Sequence, residues 1–140
     1  MKTPGNIEVL FVAGFGPILR DPAACRGFYS GTLGLKFNEE VSGYLYTGAL
    51  DGVKHFALWP LAQAAESCFG TDQWPDGLPV PQAWLEFDVA DIEAATAELK
   101  ARGYKLLVAS RQEPWGQIVT RLLGPEGLLV GITHTPGLRQ

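Results

Sequence analysis

The 140-residue chain is poor in the side chains that build metal centres, disulfide frameworks and nucleic-acid interfaces. It has two cysteines, Cys25 and Cys68, and two histidines, His55 and His134. The cysteines lie far apart with no CxxC pairing, which excludes a zinc-finger spacing and a disulfide scaffold and leaves two reduced thiols. Charged residues make up 19% of the chain, and 11 Lys and Arg against 15 Asp and Glu give a net charge of −4. An acidic chain without a basic stripe has no electrostatic footprint for nucleic acid. No apolar run approaches the roughly 20 residues of a membrane-crossing helix. Residues 9–13 are too short a run, and too soon broken by glycine, for the core of a secretory leader. The expectation is a cytoplasmic protein with neither nucleic acid nor membrane as a partner.

What is present suits a globular domain. Hydrophobic residues make up 46%, and a chain of this mass hides about two-thirds of its surface on folding. One domain over 1–140 is expected, of the α+β class. Residues 9–15 read as a buried strand that Gly16-Pro17 turns or bulges. Asp21 then caps a helix with Pro22 at its first position, and Cys25, Phe28, Tyr29 and Thr32 share one face at helical spacing. Leu33-Gly34 closes that helix. Short strands follow, separated by Asn38-Glu39-Glu40 and by Leu50-Asp51-Gly52, with residues 43–47 and 53–59 alternating.

Residues 60–82 break the rhythm with a possible short helix at 61–69 and a proline-rich stretch at 74–81, and read as a linker. The same order then recurs. Residues 83–89 read as a strand, and Asp91 caps a helix with Ile92, Ala95 and Leu99 on one face, stopped by Gly103. Strands at 105–109, 117–123 and 128–133 follow, the last two joined by Gly124-Pro125-Glu126-Gly127. The chain thus reads as two β-α-β-β-β modules, at about 7–59 and 83–135. A single α+β sheet of unrelated topology is the alternative.

Three segments carry a resemblance: Phe28-Tyr29-Ser30-Gly31-Thr32-Leu33-Gly34-Leu35, then Asp88-Val89-Ala90-Asp91-Ile92-Glu93-Ala94-Ala95, then Glu113-Pro114-Trp115-Gly116-Gln117 followed by the Gly124–Gly127 turn. In this order and spacing they resemble the vicinal-oxygen-chelate superfamily, which contains glyoxalase I, bleomycin-resistance proteins, fosfomycin-resistance enzymes and extradiol dioxygenases. The chain departs from the family turn in having Gly124 and Glu126 where the family has aspartates. The resemblance implies two βαβββ modules whose sheets curl into a cup, within a homodimer.

It also implies where a metal would bind, because metal-using members place one His or Glu on the first and last strand of each module. Those positions fall near Gly14, Ala57, Trp84 and Gly131, and a slip of one residue brings in only Ala13, Phe15, Phe56, Leu58, Ala83, Leu85, Val130 and Ile132. None is a metal ligand, so no metal and no cofactor are expected.

The cup's contents follow from strand alternation. If Ala57 points inward, His55 and Trp59 do so as well, while Phe56 and Leu58 pack beneath the helices. In residues 83–89 Leu85, Phe87 and Val89 form an apolar face, which leaves Trp84, Glu86 and Asp88 on the other. Trp59, Trp84 and Trp115 offer flat π-faces for an aromatic ring or a cation, and Tyr44 and Tyr46 share a strand face. The same tryptophans also suit a core or a dimer interface. Glu86 also suits a salt bridge to Arg121 or to a second subunit, and His55 a purely structural role. His134, close to Pro136, is the weaker histidine.

Two functions are compatible with this inventory. One is a metal-independent protein that binds or sequesters an aromatic or cationic small molecule. The other is a lyase, isomerase or dioxygenase of the superfamily with Glu86 or His55 as general base. A structural or protein-interaction role is a third possibility.

Overall fold

A computed structural model describes residues 7–40 and 43–139; the lead-in Met1–Asn6, Val41-Ser42 and Gln140 lie outside the described residues. Eight strands form one curled, open sheet in an α+β fold. They are β1 (Val9–Leu19), β2 (Asn38–Glu40), β3 (Tyr44–Thr47), β4 (Phe56–Pro60), β5 (Ala83–Val89), β6 (Val108–Gln112), β7 (Ile118–Leu123) and β8 (Leu129–His134). Three helices accompany them, α1 (Pro22–Arg26), α2 (Leu61–Phe69) and α3 (Ile92–Ala101). The sheet order is β2-β3-β4-β1-β5-β8-β7-β6. β1 runs parallel to β4, β5 runs parallel to β8, and the antiparallel β1–β5 pair joins the halves at the centre.

The two aspartate caps form as the sequence predicts. Asp21 Oδ1 accepts from the Ala24 N–H at 3.1 Å and Asp91 Oδ1 from the Ala94 N–H at 3.0 Å, each satisfying one of the orphan donors of a helix start. The first helix nevertheless departs from its expected face. Beyond Arg26 it continues as a π-helical stretch, Gly27–Thr32, in which the Leu33 N–H reaches back five residues to Phe28 O at 2.9 Å. This wider turn rotates the side chains out of helical phase. Cys25 and Tyr29 pack beneath the sheet with Leu19, Leu45 and Leu58, whereas Phe28 and Thr32 point to solvent.

Two further expectations change. β1 runs straight through Gly16-Pro17, because Gly16 is a point of close approach: a Cβ there would stand 1.9 Å from Ala57 O. Pro17 opposes Ala83 at the last rung of the β1–β5 pair, where the ladder is ending. Asn38–Glu40, read as a separator, is itself β2. It lies at the edge of the sheet, where polar, charged residues guard unpaired backbone groups, and Glu39 pairs there with Arg26 at 3.0 Å.

The sheet has two distinct faces. Phe87, Val89, Ile132, Val130, Leu122 and Ile118 pack against Ile92, Ala95 and Leu99 of α3 on the convex side. On the concave side Trp84, Ala57, Val119, Val108 and Leu129 pack against Ala64 and Cys68 of α2. The stretch 60–82 therefore includes a helix that closes part of the cup, with the indoles of Trp74 and Trp59 packed against the same core. At the centre of the convex side, Val12 and Phe15 oppose Phe87 and Leu85 on β5 and are 43% and 41% exposed.

Candidate functional site

The concave face encloses a cavity of about 650 Å³, within the range of small-molecule sites. Both halves of one chain build it. Its first wall is aromatic. Tyr44 and Tyr46 alternate inward from β3, His55 precedes β4, Trp59 lies one residue before its end, and Trp84 enters from β5. Tyr44, Tyr46 and His55 stack on one another with centroids 5.7–6.4 Å apart, and Trp84 meets Trp59 edge to face at 6.2 Å. The Trp84 N–H donates to Ala57 O at 3.2 Å, which satisfies its polar atom in a ring that is only 4% exposed. Trp84 is thus largely a floor, and Trp59 and the tyrosines present more surface to the cavity.

The facing wall is polar. Glu86 Oε2 accepts from Arg121 Nη2 at 3.3 Å and its Oε1 from Gln117 Nε2 at 3.2 Å. The Arg121 guanidinium also lies 5.0 Å from the Trp59 ring centroid, a cation–π contact of about 0.5–2 kcal/mol. Ser67 Oγ, on α2, accepts from both Arg121 Nη1 at 2.9 Å and Arg111 Nη2 at 3.0 Å. Arg111 in turn pairs with Glu113 at 2.9 Å. Glu40 and Glu66, both exposed, complete the lining with their carboxylates. Four glutamates against two arginines leave the cup acidic.

Trp115 stands at the rim, 68% exposed, and its N–H donates to Gln117 Oε1 at 3.1 Å. Gln117 also donates to Thr135 Oγ1 at 3.1 Å, so rim, floor and C-terminal segment share one amide. Asp88 has the inward orientation its strand position predicts, but it is buried away from the cavity. It accepts from Thr133 Oγ1 at 2.6 Å, from the Thr135 N–H at 3.2 Å and from Arg139 Nε at 2.7 Å. Burial alone raises the Asp88 pKa; these hydrogen bonds outweigh it and hold the carboxyl below its ordinary range.

The two histidines separate clearly. His134 closes β8 outside the cavity lining, whereas His55 lies inside it, with Nε2 2.9 Å from the Tyr44 hydroxyl. Burial pushes the His55 pKa down, against the opposing pull of Glu86 and Glu40. Burial, reinforced by the same two carboxylates, pushes that of Tyr44 up. Both groups are therefore neutral at pH 7.

The sequence named Glu86 with Arg121, and the aromatic wall. It did not find Arg111, Ser67, Gln117, Glu40 and Glu66. The contributions of α2 were hidden because 60–82 read as a linker, and Arg111 was hidden by a bulge in β6.

The metal centre that the resemblance implies does not fit this cup. The resemblance puts its four positions near Gly14, Ala57, Trp84 and Gly131, and at the two glycines neighbouring side chains stand where a larger residue would need space. A Cβ at 14 would stand 2.7 Å from Trp84 Cη2, and one at 131 would stand 2.7 Å from Glu86 Cγ. Among the described residues no three His, Cys, Asp or Glu side chains gather to hold an ion.

Comparisons with known proteins agree with this architecture. Residues 18–132 match the model of the Glyoxalase/Bleomycin resistance protein/Dioxygenase superfamily. Among curated proteins none matches significantly. Among solved structures, a glyoxalase/bleomycin resistance protein/dioxygenase superfamily member from Vibrio splendidus 12B01 is similar at TM-score 0.58, with 18% identity over 93% of this chain and 100% of that one. A Streptomyces coelicolor methylmalonyl-CoA epimerase variant in complex with 2-nitronate-propionyl-CoA has TM-score 0.57, with 18% identity over 95% of this chain and 99% of its own. At such identities the likeness is one of fold.

Proposed function

The chain belongs to the Glyoxalase/Bleomycin resistance protein/Dioxygenase superfamily, and we propose on that premise that it binds a planar, positively charged small molecule in its cup without a metal. The observation that carries this reading is the close packing at Gly14 and Gly131, where the Trp84 indole and the Glu86 side chain occupy the space a larger, metal-ligating residue at either position would need. Aromatic faces hold a flat ring by stacking and a cation through the ring quadrupole. The acidic lining draws such a ligand in and disfavours an anion.

A second reading, an enzyme of the same superfamily, is favoured by one feature. His55 is held neutral at pH 7 by burial, beside Glu86 and in hydrogen-bond reach of Tyr44, so an unprotonated imidazole faces the ligand space. A general base needs that protonation state.

The reading extends to a homodimer. Val12 and Phe15 on β1 expose apolar surface on the convex side, and Phe28 and Leu33 expose more around the first helix; a two-fold contact is the common way to cover such surface. Cys25 and Cys68 are both free thiols, which supports a reducing, cytoplasmic setting.

The test is titration of proflavine, a planar cation, against tryptophan emission, with neutral 2-naphthol and anionic naphthalene-2-sulfonate as comparators. The expected result is saturable binding of proflavine, one per chain, weakened about tenfold in Glu86→Gln, a loss of the size a charge-assisted contact carries. Equal affinity for the sulfonate contradicts the charge preference. One equivalent of Zn²⁺, Ni²⁺, Mn²⁺ or Fe²⁺ retained after desalting contradicts the metal-free cup.

A further inference from the structure

Ser110 is the one non-glycine residue among the described residues with a positive φ, +46°, a region that costs an L-residue free energy and persists only where the surroundings enforce it. It sits at an irregularity in β6. Val108 opposes Arg121 and Arg111 opposes Val119, so three steps along β6 match two along β7. That is a β-bulge.

The bulge changes which side chains reach the cup. Strand alternation would place 108, 110 and 112 on one face. With one extra residue inserted, Val108 faces the concave core and Arg111 returns to that same face. Arg111 thereby reaches Ser67 and Glu113. Without the bulge, its guanidinium would leave the cup wall.

Two threonines hold the bulge from the opposite side of the sheet. Thr120 Oγ1 on β7 accepts from the Ser110 N–H at 2.9 Å and lies 2.6 Å from Thr96 Oγ1 on α3. Ser110 Oγ donates to Thr96 Oγ1 at 3.1 Å, and Thr96 donates to Ile92 O at 2.8 Å. Thr96 and Thr120 are 4% and 0% exposed, so these hydroxyls sit where an apolar pair would fill the same space with no polar atoms to satisfy.

We infer that Thr96 and Thr120 are positioning residues that hold the bulge at Ser110, turn Arg111 into the cup and so set the charge pattern of its wall. Helix α3, on the convex side, thus fixes a ligand-facing arginine on the concave side. The relevance to ligand rests on the proposed cup function; the placement of Arg111 does not.

Hydrogen exchange at the arginine Nε–H groups, read by NMR on the full chain, tests the placement without any ligand. Arg111 Nε–H, which donates to Glu113, is expected to exchange at least tenfold faster in Thr120→Val, and at the native rate in Thr120→Ser, which keeps the hydroxyl. Arg102 Nε–H, paired with Glu98 across the surface of α3, is expected to stay unchanged in both, a pattern that general loosening would not give. If Thr120→Val does not fold, Ser110→Val and Ser110→Gly carry the test. The β-branched residue resists the positive φ and is expected to release Arg111, whereas glycine accepts it and is expected to retain Arg111.

A folded Thr120→Val or Ser110→Val protein in which Arg111 keeps its native exchange rate overturns the inference. Proflavine titration of the same variants separates the two readings. Faster Arg111 exchange with no proflavine binding even in the wild type supports the positioning device and removes the proposed ligand class.

Discussion

Tyr44 and His55 are stacked with ring centroids 6.4 Å apart and joined by a 2.9 Å hydrogen bond, in a part of the cup where burial keeps both neutral. Because the folded protein holds His55 below the ordinary value of 6.5, the unfolded chain takes up a proton first as the pH falls. The stability that His55 contributes is therefore complete above pH 6.5 and is lost as the pH drops through and below that value. Denaturant unfolding of the wild type between pH 7.5 and 5 is expected to show this decline, and His55→Gln to flatten it. An unchanged slope in the variant contradicts the assignment.

The glycines at 14 and 131 differ in what their neighbours can yield. At 131 a methyl group meets Glu86 Cγ, a flexible chain, whereas at 14 it meets the indole of Trp84. Gly131→Ala is expected to cost about 1–2 kcal/mol and Gly14→Ala about 3 kcal/mol, in the range of overpacked cores. Gly131→Ala is also expected to weaken proflavine binding by displacing the Glu86 carboxylate from Arg121, with 2-naphthol little affected. Melting curves and the two titrations check these outcomes together.

Arg139 fastens the C-terminal segment to the sheet. Its guanidinium donates to Asp88, whose side chain is 0% exposed, and to Val89 O. Arg139→Leu strips a buried carboxylate of its cation and is expected to destabilise the fold by about 3 kcal/mol. Thr135 and Leu138 line the cavity beside this anchor, so ligand dissociation is expected to quicken too. Urea unfolding at pH 7 gives the first quantity, and stopped-flow displacement of proflavine the second.

Phe15 stands at the middle of the exposed apolar strip on the convex face. Phe15→Glu is expected to convert a dimer to a monomer with little loss of monomer stability, since the ring is 41% exposed within one chain. Light scattering at micromolar concentration reads the mass. A wild-type monomer under those conditions contradicts the dimer reading.

Legibility in the sequence tracks how locally each feature is encoded. Asp91 with Ile92, Ala95 and Leu99 specifies α3 within a few residues, and the alternation in Ala83–Val89 assigns Trp84 and Glu86 to the face they occupy. The first helix was harder, because its face depends on a π-helical turn that local spacing does not announce. β2 was misplaced because an edge strand of Asn38, Glu39 and Glu40 has the composition of a loop. Arg111 was missed because the bulge at Ser110 depends on Thr96 and Thr120, which are distant in the chain. Gly16 read as a breaker because only the three-dimensional approach of β4 explains its missing side chain.

The antiparallel β1–β5 pair has a mechanical consequence. It stitches the halves of the sheet along seven rungs from Val9–Val89 to Pro17–Ala83, so the strands on both sides of the cup belong to one hydrogen-bonded sheet. On the proposed reading, a continuous sheet of this kind favours a cup preformed for its ligand. A preformed cup spends little ordering free energy on binding. Selection among ligands would then fall to the shape and charge of the mould rather than to its movement.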